Sequence, residues 1–163
     1  MMEGHTLDAS IGANSEAAMS TPESQYEPTV DSLAGEEERG FARLQHLAGL
    51  LNLCSSGIPF LGVIVTLIMW QVKKTASPFL DDHGRDAMNF QITLLIYTVV
   101  GSVFIAMLGL LPLIERAEVF KLGAAFLIVL QLVGNIRGAM AGYRGEYYRY
   151  PMTFRLIPER SDA

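Results

Sequence analysis

AMNFQITLLIYTVVGSVFIAMLGLLPLI, residues 87–114, runs for 28 positions between Asp86 and Glu115 without a formal charge. A hydrocarbon layer about 30 Å thick is crossed by roughly 20 helical residues at about 1.5 Å each, so this run is long enough to span a bilayer. It does not stand alone. Residues 44–72 form a second uncharged run, of 29 residues between Arg43 and Lys73, and beyond Lys121 only Arg137 interrupts a third that reaches the C-terminal region. The expected fold is therefore all-α: an integral membrane helical bundle of about three transmembrane helices, folding in lipid rather than water.

The overall charge of −5 hides a division. Residues 1–40 carry nine carboxylates against the single Arg39, whereas the remaining 123 residues carry eight acids and eleven bases. The leader is rich in Glu, Ser, Ala, Thr, Gly and Pro and poor in branched apolar side chains, too little to offset the entropy of ordering. Residues 1–40 are thus expected to be a disordered acidic tail, 41–157 a multi-span membrane domain, and 158–163 a short C-terminal tail. With neither a basic start nor an early apolar stretch, no secretory signal is read, and the first hydrophobic run directs insertion.

That first run, Leu44 to Val72, holds Ser55, Ser56, Gly57 and Pro59 near its middle. Proline removes a backbone donor and crowds the preceding turn, so a kink or break is expected there. A single bent span is favoured over an interfacial half-helix, Phe41 to Leu53, followed by a shorter crossing from Ile58. Trp70, Lys73 and Lys74 mark the exit at the head groups.

The loop motif Ser77, Pro78, Asp82, His83, Gly84 and Asp86 leads into the second span, with Asp82, Asp86, Asn89 and Thr93 on one helical stripe if the helix begins near Leu80. Asn89 and Gln91 then sit just inside the membrane and should face another helix, because unsatisfied amides are costly in hydrocarbon. In the third span, Leu122 to Tyr143, Gly134, Gly138 and Gly142 recur every four residues, a ridge for close helix packing within or between chains; Gln131 and Asn135 border it. The second and third spans run antiparallel, which levels Arg137 with Asp86 and predicts a clamp between them. The sharper alternative is a polar pathway through Arg137, Asn135, Gln131, Asn89 and Gln91.

The tail after the third span interleaves Tyr143, Tyr147, Tyr148 and Tyr150 with Arg144 and Arg149. Together with Trp70 and Pro151 these read as a surface anchor, rings at the head groups and arginines on anionic lipid. Nucleic acid is a poor fit beside a membrane span. Under three crossings the first loop and the C-terminus share the more basic side, which predicts a cytoplasmic C-terminus and an N-terminal tail on the opposite side of a bacterial inner membrane; a re-entrant first segment would instead return the tail to the cytoplasm.

Enzyme chemistry finds little support. Cys54 is alone, and His5, His46 and His83 are scattered without a zinc-protease, phosphate-loop or nucleophile-elbow pattern. Asp81, Asp82, His83 and Asp86 could hold a divalent cation, but carboxylates at a helix start are explained by the helix dipole. No metal, cofactor or small-molecule substrate is expected. The expected partners are the lipid bilayer and other copies or other membrane proteins. The function read from the residues is a non-enzymatic assembly or organising component, with a channel or translocation component as the alternative.

Two motifs carry a resemblance: residues 77–92, SPFLDDHGRDAMNFQI, and residues 145–155, GEYYRYPMTFR, separated by an apolar helical hairpin. Over roughly Leu44 to Ile157 the chain resembles a widespread family of small bacterial membrane proteins, distantly similar to the membrane subunit of the chloroplast inner-envelope import translocon (Tic-type). That family includes the MamF/MmsF-like proteins of magnetosome membranes. The resemblance implies a compact multi-span helical fold and no settled activity. The acidic leader lies outside it, and no mineral-contacting acidic loop is seen that would support a magnetosome role for this chain.

Overall fold

A computed structural model describes residues 29–55, 60–108 and 116–159. Five helices follow in order: α1 (Glu36–Ala48), α2 (Leu51–Cys54), α3 (Leu61–Lys73), α4 (Pro78–Leu108) and α5 (Arg116–Arg144). Among the described residues the only β-like feature is one isolated bridge, Val30 to Glu146. The expected all-α class holds.

Two helices are long and apolar enough to cross a membrane, α4 and α5. At 31 residues α4 is about 46 Å long, more than a hydrocarbon layer needs. It starts two residues before the expected Leu80. Ser77 is the cap, its Oγ accepting from Leu80 N–H at 3.2 Å, and Pro78 occupies the first turn, where its missing N–H costs nothing. α5 returns antiparallel: a Cβ on Gly134 would lie 2.5 Å from Phe90 Cζ, and one on Gly123 would lie 3.9 Å from Ile105 Cδ1.

The first apolar run is not the expected bent span. α1 runs parallel to α4, since Gln45 reaches the Leu80 carbonyl, His46 meets His83 and Asn52 meets Gln91. α3 runs back the other way: Asn52 Oδ1 accepts from Gly62 N–H at its start, while Trp70 near its end donates to Asp81 at the head of α4. The described parts of the run are thus two antiparallel arms, the start of α1 and the end of α3 lying at the same end of the molecule. Its second arm, α3, has 13 residues and is about 20 Å long, shorter than a hydrocarbon layer. The helices stop at Cys54 and resume at Leu61, with Phe60 in the left-handed region at φ 66°; residues 56–59 of the expected break lie outside the described residues.

Two further expectations change with the hairpin. Residues 29–31 lie against the start of the C-terminal segment, with Asp31 N–H donating to Gly145 O at 2.8 Å and Tyr147 N–H to Thr29 O at 3.0 Å. The described chain entering α1 and the chain leaving α5 therefore share one end of the molecule, in place of the opposite ends that three crossings predict. The expectation of disorder does not hold for the last part of residues 1–40, because α1 begins at Glu36 with Glu36, Glu37 and Glu38 in its first turn, where the helix dipole favours carboxylates. Residues 1–28 lie outside the described residues.

Candidate functional site

The hairpin, the head of α4 and the last turns of α5 enclose a core that is mostly polar. Of the ten largest fully buried side chains among the described residues, only Phe79 and Phe90 are hydrocarbon; the rest are His46, His83, Gln45, Gln91, Asn89, Asn135, Thr66 and Thr93. In a low-dielectric setting such groups persist only when bonded, and most are.

At the centre stand two imidazoles. His46 Nε2 lies 2.8 Å from His83 Nδ1, and His46 Nδ1 lies 2.6 Å from the Tyr150 hydroxyl, joining α1, α4 and the C-terminal segment. Both histidines are fully buried. Tyr150 stacks on Phe90 with ring centroids 4.1 Å apart, and Tyr148 is edge-on to Tyr150. Burial pushes the Tyr150 hydroxyl well above the ordinary phenol range.

Beside this triad Arg149 holds two carboxylates. Its Nη1 is 2.6 Å from Asp82 Oδ2 and 2.8 Å from Asp86 Oδ2, its Nη2 is 3.0 Å from Asp82 Oδ1, and Glu159 lies 3.2 Å away. Hydrogen bonding to Asp82 holds the Arg149 guanidinium above its ordinary value. The Arg137–Asp86 clamp expected from the sequence is therefore replaced by Arg149. α5 turns Arg137 outward, where it is exposed and makes no ion pair with a described residue. Arg85 pairs with Asp81, which also accepts from Trp70 Nε1 at 2.9 Å.

The stripe Asp82, Asp86, Asn89 and Thr93 faces the chain's own C-terminal segment rather than another helix. Asn89 bonds both backbone groups of Ile157, Oδ1 accepting from N–H at 2.8 Å and Nδ2 donating to the carbonyl at 3.1 Å. Thr93 Oγ1 accepts from Phe154 N–H at 3.0 Å, and the Tyr97 hydroxyl donates to Met152 O at 2.8 Å. Residues 149–159 thus descend along α4 to the level of Tyr97, turn at Met152 with φ 58°, and return to Arg149. Non-helical backbone at this depth needs side chains to satisfy it, and the stripe supplies them.

On the opposite side of α4, Gly49 is where three helices converge. Gln131 Nε2 donates to its carbonyl at 2.7 Å, and a Cβ there would collide with Gln91 and lie 2.7 Å from Asn135 Oδ1. Asn135 Nδ2 donates to Gln131 O, and Gln91 Oε1 accepts from Asn52. The glycine ridge lies inside the chain: Gly134 meets Phe90, Gly138 meets His46 and Tyr150, and Gly142 meets Ala42 and Arg43. Gly84 does the same against Trp70 and Gln45.

The expected interface anchors divide. Tyr143 is exposed, with the Arg43 guanidinium 5.5 Å from its ring centre. Trp70, Arg149 and Tyr150 serve the interior instead, and Tyr147 donates to Asp31 Oδ2 at 2.9 Å. Burial, then the Asp31 contact, pushes the Tyr147 hydroxyl up to about 12. Pro151 lies in the turn before Met152. Sequence reasoning missed Gln45, His46 and Asn52 as a group; with Gly49 they lie at helical spacing on one face of an uncharged run, which is the available signal.

Among the described residues no three His, Cys, Asp or Glu side chains gather as a metal set, and the Asp81, Asp82, His83, Asp86 group is taken up by Arg85, Arg149 and His46. No curated relative and no solved structure matches the chain, and the wider likeness to the chloroplast translocon subunit has no counterpart among the matches. One family model does match, over residues 37–157, nearly three quarters of the sequence, and it covers the hairpin, both long helices and the C-terminal segment down to Ile157. The chain belongs to the magnetosome magnetite crystal formation protein family, MamF_MmsF.

Proposed function

We propose that the protein is a non-enzymatic membrane component that organises a crystal-forming compartment by helix packing, with α4 and α5 as its two crossings. One observation carries this reading: the two halves of the long helices differ in kind. At one end α4 and α5 are enclosed by the α1–α3 hairpin and the C-terminal segment. In the other half Val99, Val100, Val103, Phe104, Met107, Phe120, Leu122 and Phe126 are all exposed, the surface of helices made for lipid or for other helices.

Gly101 and Gly123 mark where a second helix could approach that open half. A Cβ on Gly101 would meet nothing within 4 Å, and a cleft lined by Tyr97, Gly101, Phe104, Phe120, Gly123 and Leu127 opens beside it. The glycines at 134, 138 and 142 are occupied internally, so they are the wrong place to look for assembly. Gly101→Leu should leave the protomer folded and shrink cross-linked assemblies in native membranes. Unchanged assembly size in Gly101→Leu and Gly123→Leu would count against the organising role.

Orientation follows from charge. Of the described Lys and Arg, only Arg116 and Lys121 lie at the start of α5, where it follows α4, and the other nine belong to the opposite end. Positive residues favour the cytoplasmic side, which puts both ends of the described chain there. A polar conduction path has no support in the geometry, since Asn89, Gln91, Gln131 and Asn135 bond to the chain itself and Arg137 faces away from them.

A further inference from the structure

Along the outer seam of α1 and α5 runs a groove of about 480 Å³, lined by Arg43 and Leu47 from one helix and by Ile136, Ala139, Met140, Tyr143 and Arg144 from the other. Its floor is apolar and its head is basic. No carboxylate lines it. A cleft sharing Arg43, Tyr143 and Arg144 continues upward to Arg39, whose Nε is buried without a hydrogen-bond partner among the described residues; Glu36 is the one acid there. A third cleft, sharing Met140 and Arg144, places exposed Arg137 on the other flank, with Glu146 already held by Arg144 at 2.6 and 2.8 Å. Arg43 and Arg137 have no ion-pair partner among the described residues.

From this geometry we infer that the α1–α5 groove is a binding site for an anionic glycerophospholipid, its phosphate against Arg43 and Arg39 and one acyl chain along Leu47, Ile136 and Met140. The inference rests on the membrane reading of the two long helices, because it requires the Tyr143 level of α5 to meet the head-group layer. Cations at that level attract anionic head groups, and an apolar furrow running inward from them suits a chain already anchored there. The acidic leader is a weaker occupant: residues 1–28 bring five carboxylates but little to cover Ile136 and Met140. A second copy is weaker too, since the groove offers it charges without counter-charges.

The test uses the full chain in nanodiscs of phosphatidylcholine containing a minority of phosphatidylglycerol, with a photoreactive diazirine side chain installed at Met140, which is 53% exposed. After illumination, intact-mass measurement identifies what was captured. Phosphatidylglycerol adducts should exceed their share of the bilayer by about fivefold, the effect of roughly one unopposed arginine at a membrane surface. Arg43→Gln should return capture to the bulk ratio, Arg43→Lys should retain most of the preference, and Arg155→Gln, a control among the exposed arginines of the C-terminal segment, should retain all of it. Capture at the bulk ratio, equal loss in Arg155→Gln, or a cross-link from Met140 to residues 1–28 or to a second copy would overturn the site. Failure of the membrane reading is separable, since it would abolish phosphatidylcholine adducts as well.

Discussion

Replacing Arg149 by Met should be among the most damaging single changes in the chain. Its guanidinium makes three short contacts with Asp82 and Asp86, whose side chains are only 13% and 11% exposed and sit one helical turn apart on α4. Without Arg149, Asp86 has no ion-pair partner among the described residues and Asp82 keeps only Arg85, at 3.9 Å. Removing one partner of a buried pair costs about 3–5 kcal/mol, and because a quarter of the Arg149 side chain remains exposed the lower end applies, about 3 kcal/mol. At this chain length that lowers the melting midpoint by about 6–12 °C. The assay is thermal unfolding of the detergent-solubilised full chain, run as a cycle with Asp82→Asn and Asp86→Asn. The combined triple variant should recover more than half of the loss, since it no longer buries unpaired charge. A midpoint within about 2 °C of the parent for Arg149→Met, or a triple variant no better than the single, would refute the reasoning.

Glycine substitutions should separate packed from open positions: Gly134→Ala drives a methyl into Phe90 and should cost about 1–3 kcal/mol, whereas Gly101→Ala meets open space and should be neutral or slightly stabilising, both read from the same melts. Asn89→Leu removes both bonds to Ile157 and should free the C-terminal segment, seen as faster proteolysis after Tyr150 with the two long helices still intact. Alkaline titration should show Tyr147 and Tyr150 ionising late, because both hydroxyls are raised in the folded protein. Their contribution to stability is fully present below the ordinary phenol value near 10 and is lost at higher pH, for Tyr147 as pH rises through about 12, so phenolate absorbance from them should coincide with release of the C-terminal segment.

Helix class and membrane character were legible because they depend on local composition: an uncharged run of 28 residues admits few other readings. The stripe from Asp82 to Thr93 was legible as a stripe, but not its partner. Sequence spacing shows which side chains share a face, whereas the identity of the opposing surface depends on how a distant segment returns, here residues 149–157 folding back along α4. Arg137 was misplaced for a related reason. Its depth was argued correctly from the antiparallel hairpin, but helical phase turns it away from Asp86, leaving the two carboxylates to an arginine beyond the helix end. The hairpin in the first run was harder still, since 29 uncharged residues fit one bent crossing as well as two short arms. The polar face of Gln45, Gly49 and Asn52 distinguishes them, for in a lone crossing those groups would meet lipid and in the hairpin they meet Leu80, Gln131 and Gln91.

The reversal in the first apolar run determines where the chain's ends emerge, and cysteine accessibility tests it most directly. In a Cys54→Ser background, single cysteines at Asp31, Thr75, Glu159 and Glu118 would be labelled with an impermeant thiol reagent from each side of sealed vesicles. Positions 31, 75 and 159 should react from one side and position 118 from the other. Labelling of positions 31 and 75 from opposite sides would mean that the first run crosses the bilayer, and would contradict the hairpin.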